Sequence, residues 1–386
     1  MKPYCLIILL SSLLLSGCSQ RITRSSLATT IDNTSAVSHE TNHVQEKHQV
    51  ALLLPLSGPQ SRMGRTVRDG FLSAFYEQGG QSIAVQLYDT GGTPEKTRIA
   101  YESAMAKGAT LIVGPLTKVE LQALVATKPT LPILALNTLS SRPVSQLYQF
   151  ALLPEDEITS IANFAWMQGY RRIVIVASAN ERGKRLAKYF KEQWEKKGGK
   201  ILKTESITKN NKTQERLESI ASAYAELEEG SEQLPDAFFL ATSADIARQI
   251  KPLLDFHYRP NTPVLATANV YTGVPMPLKD QDLGGIVFCD MPWILEESGT
   301  IAEKRHQAQR VWSNSDKEAP RLFALGMDAF AIATQWSTFV GNKNVTLQGM
   351  SGQLQVDKQT QQVRRRLSCS RFVDGQPKTV GIPDSF

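Results

Sequence analysis

Apolar residues fall in short unbroken runs, separated by stretches in which they recur at helical spacing. Residues 50–54 form one such run, ended by the breakers Pro55, Ser57, Gly58 and Pro59. Val67, Phe71, Ala74 and Phe75 then stand at the i, i+4, i+7, i+8 spacing of one helix face. Residues 83–88 read as a strand, and Pro94 opens a helix that carries Ile99 and Met105. A strand over 110–113 stops at Gly114-Pro115, a helix covers 118–127, and a strand covers 132–136. Strands alternating with helices predict parallel sheets covered on both faces.

The alternation then restarts. Strands are expected over 147–153, 172–177, 200–206, 237–240 and 263–266, with helices over 155–168, 182–197, 211–229 and 243–254. Leu186, Phe190 and Trp194 mark the inward face of the second of these helices. A strand over 286–289 is expected to return toward the first half. Residues 322–336 are apolar nearly all round, as in a buried helix, and a hairpin of 353–356 with 362–373 closes the chain. Two α/β units without a short sequence repeat predict two similar lobes instead of a solenoid. Lobe one takes about 49–146 plus parts of 290–386, and lobe two about 147–289.

The first residues set the compartment. Lys2 precedes an apolar run over 6–15 that is too short for a bilayer span of about 20 residues but suits a signal peptide. Leu15-Ser16-Gly17-Cys18 follows and resembles a bacterial lipobox. Residues 1–17 are therefore expected to be removed and Cys18 to be acylated, anchoring the chain through more than one acyl chain. Ser19 stands where an Asp would resemble an inner-membrane retention signal, so outer-membrane sorting is expected. Residues 18–48 are polar and aperiodic, a flexible tether of roughly 30 Å mean reach. His39, His43 and His48 lie in it without a preformed metal geometry.

Composition refines this only slightly. The 386 residues, 41% hydrophobic and 21% charged, are those of a globular protein. The charge of +6 is a modest basic excess compatible with an anionic partner or the cell-wall surface; no nucleic-acid partner is expected. Beyond Cys5 and Cys18 only Cys289 and Cys369 remain, and in an oxidising compartment they either bridge or stay as buried thiols.

Candidate chemistry is sparse. G-x-S-x-G, H-E-x-x-H, C-x-x-C and the phosphate-binding G-x-x-x-x-G-K-[ST] are all missing from the sequence. Ser206-Ile207-Thr208-Lys209 matches S-x-x-K, but no S-D-N exists and Lys378-Thr379 runs into Val380. His257 and His306 have no catalytic neighbours in sequence. The chain is expected not to be an enzyme and to hold no cofactor or metal. Three loops at the carboxyl ends of strands are rich in small polar residues, and Ser57, Thr117, Asn137 and Thr138 are the candidate cleft residues. Read singly, such loops are also turns and helix caps.

Several motifs resemble known families. Leu54-Pro55-Leu56-Ser57-Gly58, Arg68-Asp69-Gly70-Phe71 and Val113-Gly114-Pro115-Leu116 are similar to the type I periplasmic binding proteins, a two-lobed α/β fold that includes amino-acid receptors. Residues 49 to about 374 carry that resemblance. Three further motifs resemble the outer-membrane lipoprotein activators of penicillin-binding proteins, the LpoA family. They are Leu283-Gly284-Gly285-Ile286-Val287-Phe288 with Asp290-Met291-Pro292-Trp293, then Phe323-Ala324-Leu325-Gly326-Met327-Asp328-Ala329, then Gly349-Met350-Ser351-Gly352-Gln353-Leu354 running into Arg364-Arg365-Arg366-Leu367.

This resemblance implies a non-enzymatic protein that binds and stimulates a class A penicillin-binding protein and so regulates peptidoglycan synthesis. Family members often carry an N-terminal helical-repeat domain, whereas only the tether precedes Gln49 here. The loop Asn180-Glu181-Arg182-Gly183 also lacks the aromatic residue that amino-acid receptors place before this glycine. A solute-binding lipoprotein feeding an ABC transporter is the alternative. Exposed basic groups at Arg364 and Arg366 are candidates for the partner surface, with Arg365 facing the other way.

Overall fold

A computed structural model describes residues 48–383 apart from 82, 141–142, 211, 225–230, 258–261, 313–318 and 343–344. Cys18, the signal peptide and nearly all of the tether lie outside the described residues. In chain order the first strands are β1 (Gln49–Leu54), β2 (Ala84–Asp89), β3 (Leu111–Val113), β4 (Ile133–Ala135) and β5 (Leu147–Phe150). Then come β6 (Arg172–Ser178), β7 (Lys200–Ile207), β8 (Ala237–Ala241), β9 (Val264–Ala266) and β10 (Val287–Asp290). The last are β11 (Thr346–Gln348), β12 (Gln353–Asp357), β13 (Gln362–Arg366), β14 (Ser368–Val373) and β15 (Gln376–Gly381). They form one sheet in the order β11-β12-β13-β5-β4-β3-β1-β2 and another in the order β15-β14-β10-β9-β8-β6-β7.

The unbroken apolar runs are explained by burial on both faces of each sheet. From β1, Val50, Leu52 and Leu54 join one cluster, against Val67 and Phe71 of α1 (Ser61–Glu77) and the Pro320–Thr334 helix. Ala51 and Leu53 join the opposite cluster, against α2 (Pro94–Ala106) and α3 (Lys118–Ala126). The second sheet repeats the scheme. Ile173 and Ile175 of β6 pack with α4 (Pro154–Met167) and α5 (Glu181–Lys196), where Phe190 stacks on Phe239 at 3.9 Å between ring centroids. Val174 and Val176 pack toward α6 (Thr213–Ser222) and α7 (Ala244–His257). Each fully buried Leu, Ile or Phe contributes about 1.5–3 kcal/mol of transfer free energy.

Strand pairing corrects the lobe boundaries expected from sequence. β5 pairs with β4 and β13, so lobe one extends through Phe150. β10 does not return to lobe one but pairs with β9 and β14. The second arm of the expected final hairpin is two strands: β13 belongs to the first sheet and β14 to the second. The chain crosses at Leu367, which is 1% exposed and donates its N–H to Ser160 Oγ of α4 at 3.1 Å. The Gly299–Val311 helix had no apolar signal, because among its residues only Ala302 and Ala308 are buried.

Candidate functional site

The carboxyl-end loops are brought side by side, since β1, β3 and β4 are neighbours in the sheet. Their polar groups are largely committed to holding the loops themselves. The backbone N–H groups of Leu56, Ser57 and Gly91 donate to Asp89 Oδ1 at 2.8, 3.1 and 2.8 Å. Burial opposes the Asp89 charge, but the Ser57 hydroxyl and these backbone donors hold its carboxyl below the usual range. Thr117 caps α3 in a reciprocal box with the buried Glu120, at 3.3 Å and 2.9 Å. Asn137 donates to Leu116 O and accepts from Thr138 N, both at 2.8 Å. In lobe two, Asn180 caps α5 by accepting from Gly183 N at 2.8 Å.

A polar cluster sits at the seam between the lobes, and the later motifs meet there. Asp328 lies within the Pro320–Thr334 helix and is buried. It accepts from Met350 N at 2.6 Å, from Ser351 N at 2.7 Å and from the Ser351 hydroxyl. Burial pushes its carboxyl up to about 6, against the pull of those donors. Met350 O accepts from Trp293 N at 3.0 Å, which ties this loop to the segment after β10. Phe323, Ala324 and Met327 of the same helix enter the apolar cluster of lobe two with Trp293 and Ala268.

Further ionic groups surround this latch. Asp156, in the first turn of α4, is 1% exposed and faces Arg364 Nε at 2.8 Å and Arg365 Nε at 3.3 Å. Burial raises the Asp156 carboxyl, and the two guanidiniums pull it back. Arg365 also donates to Leu153 O at 3.2 Å and Ser351 O at 3.5 Å. Arg321 grips Asp290 in a bidentate pair and donates to Tyr271 O at 3.0 Å. Glu157 accepts from Ala268 N at 3.1 Å. Its carboxyl is pushed up to about 7 by burial and then by Asp290, with Arg365 and Arg321 opposing.

A carboxyl raised from 4.5 to about 7 in the fold binds its proton more tightly there than in the unfolded chain. Its contribution is fully present below the unfolded value and is lost as pH rises through about 7. Glu157→Gln keeps an acceptor for Ala268 N and cannot ionise. Urea midpoints from pH 5 to 8 should therefore fall less steeply in the variant than in wild type, with a residual slope from Asp328. Equal slopes would contradict this assignment.

Other sites expected from the sequence resolve differently. Arg364 and Arg366 are half-buried, not exposed, because α4 and β12 cover them: Arg364 pairs with Asp156, and Arg366 bonds Gln353 Oε1. Arg365, expected on the opposite face, is buried, and its guanidinium converges with that of Arg364 on the same Asp156 carboxylate. Cys289 and Cys369 stand directly opposite in the β10–β14 pair and are joined as a disulfide. Ser206 is exposed on β7, and Lys209 is exposed with its Nζ 3.8 Å from Asp245 in the first turn of α7. Among the described residues no group of three or more His, Cys, Asp or Glu side chains is placed to hold a metal ion. None of the described helices is long and apolar enough to cross a membrane. The polar latch at the seam can fix lobe geometry, and within it the Ser351 hydroxyl and the Asp328 carboxyl are committed to each other.

Known proteins share this outline. The family model described as "LppC putative lipoprotein" matches residues 39–375. The penicillin-binding protein activator LpoA of Photobacterium profundum is 26% identical over 336 residues, 82% of this chain and 54% of that protein. The LpoA of Haemophilus influenzae is 27% identical over 333 residues, 85% of this chain and again 54% of that protein. The chain thus spans little more than half the length of these curated relatives. A solved structure described as the LpoA (YraM) C-domain from Haemophilus influenzae, a regulator of PBP1A, superposes with a TM-score of 0.71 at 25% identity. That match covers 86% of this chain and 99% of the C-domain. An ABC transporter substrate-binding protein from Sphaerobacter thermophilus shares the fold, with a TM-score of 0.58 at 19% identity over 87% of this chain and 98% of its own.

Proposed function

Because the chain belongs to the LppC lipoprotein family, we propose that it is an outer-membrane lipoprotein, acylated at Cys18, that binds and stimulates a class A penicillin-binding protein. In this reading it is a regulator of peptidoglycan synthesis and performs no chemistry itself. The observation that carries it is the match to 99% of a C-domain described as a regulator of PBP1A. The seam supports the same reading. A binding protein that closes on a solute needs lobes that part, whereas here buried ion pairs and the apolar face of the Pro320–Thr334 helix join them. The likeness to transport receptors is one of fold alone.

The direct test is association. Residues 49–386, freed of the anchor, should bind a purified class A penicillin-binding protein from the same cell saturably. Absence of binding to every class A synthase of that cell would overturn the proposal.

A further inference from the structure

Where α5 passes the β12–β13 hairpin, an open groove of about 470 Å³ is lined by a mixture of polar and apolar surface, its polar residues including Tyr189, Gln193, Gln355, Asp357, Arg364 and the Asp156 that pairs with Arg364. None of these belongs to the loops at the ends of β1, β3 and β4. Strand register sets the layout. Gln355 stands opposite Arg364, and Asp357 opposite Gln362, so Asp357 lies two residues further along the face that carries Gln355. That spacing is about 7 Å.

The two ends of the groove carry opposite charge. At one end the Arg364 side chain keeps 28% of its surface exposed while its Nε holds Asp156. The Tyr189 phenol lines the groove beside Arg364. A guanidinium can only donate, so a phenol turned toward it offers its oxygen and keeps its own O–H free to donate outward. A guanidinium beside a phenol O–H is a carboxylate site. At the other end, Asp357 Oδ1 accepts from Gln359 N at 2.9 Å and Thr360 N at 3.3 Å, which fixes the carboxylate and leaves Oδ2 for a cation. The Gln193 and Gln355 amides line the same groove, and each offers both a donor and an acceptor to a peptide unit. Two extended residues span roughly 7 Å.

We propose that this groove binds a short zwitterionic peptide of about two residues, its carboxylate on Arg364 and Tyr189 and its ammonium on Asp357. The assignment is independent of the synthase reading above, and either can fail without the other.

The test is calorimetric titration of the full chain with alanyl-alanine in its L,L and D,D forms, beside the N-acetyl and C-terminal amide derivatives. Saturable binding of at least one free dipeptide is expected, weakened about tenfold when either end is blocked. Asp357→Asn and Arg364→Gln should each weaken it by about as much, and Tyr189→Phe by about threefold. Asp357→Asn and Tyr189→Phe leave Asp156 paired, so their melting temperatures should stay near wild type and keep the test readable if Arg364→Gln unfolds. No saturable binding up to about 10 mM would overturn the proposal, since weaker affinity is too slight for a site with both charges placed. Blocked peptides binding as well as free ones would overturn it too, as would Asp357→Asn and Tyr189→Phe binding as tightly as wild type.

Discussion

Asp156→Ala is expected to destabilise the protein by about 3–5 kcal/mol, because it strands two guanidiniums at the lobe seam. Arg365 is 3% exposed and Asp156 is the carboxylate it is paired with, so its charge would keep only the backbone oxygens of Ser351 and Leu153 and the more distant Glu157 and Asp328. Arg364 is partly exposed and can turn outward, so most of the loss falls on Arg365. A pair at the surface would give about 0–1 kcal/mol, so the size of the loss distinguishes a buried latch from a decorative bridge. Equilibrium unfolding in urea measures it. A loss under about 1 kcal/mol would show that the seam is wetter than its geometry implies.

Gly326→Ala should also destabilise, by about 1–3 kcal/mol, although alanine favours a helix over glycine by about 1 kcal/mol. A Cβ at Gly326 would lie 2.1 Å from Val67 O of α1, and one at Gly70 of α1 would lie 2.0 Å from Phe323 O. Both obstacles are backbone oxygens, which no rotamer change can move. The helices would have to part, loosening the edge-to-face contact of Phe71 with Phe330 at 5.3 Å. Gly341→Ala serves as the control, since nothing lies within 4 Å of a Cβ there. Thermal melting of the two variants should separate them, and a stabilised Gly326→Ala would contradict the close helix crossing.

The strands and most helices were legible because each sheet is buried on both faces, so apolar runs such as 172–177 announce themselves. Sheet membership was not. Periodicity in Leu147–Phe150 says that a strand forms, while its partners β4 and β13 are set by residues far away in sequence. The break at Leu367 was hidden for the same reason: it interrupts pairing without interrupting the apolar pattern. The motif strings pointed to a family and concealed their job. Asp328, Met350, Ser351 and Arg365 meet only in three dimensions. One signal was available: an aspartate inside a helix apolar nearly all round must find buried donors. Asp156 gave no such sign, since an acid in a first helical turn looks like an ordinary complement to the helix dipole. Arg364 and Arg366 looked exposed because the sequence does not show α4 and β12 lying over them.

Whether this domain raises the output of a peptidoglycan synthase is decided by one rate. It is the rate of glycan polymerisation and crosslinking by a purified class A penicillin-binding protein from the same cell, with lipid-linked precursor, as residues 49–386 are added. That rate should rise with added domain and saturate at the concentration where binding saturates. A synthase that turns over at the same rate with the domain fully bound, or that never binds it, would contradict the activator role.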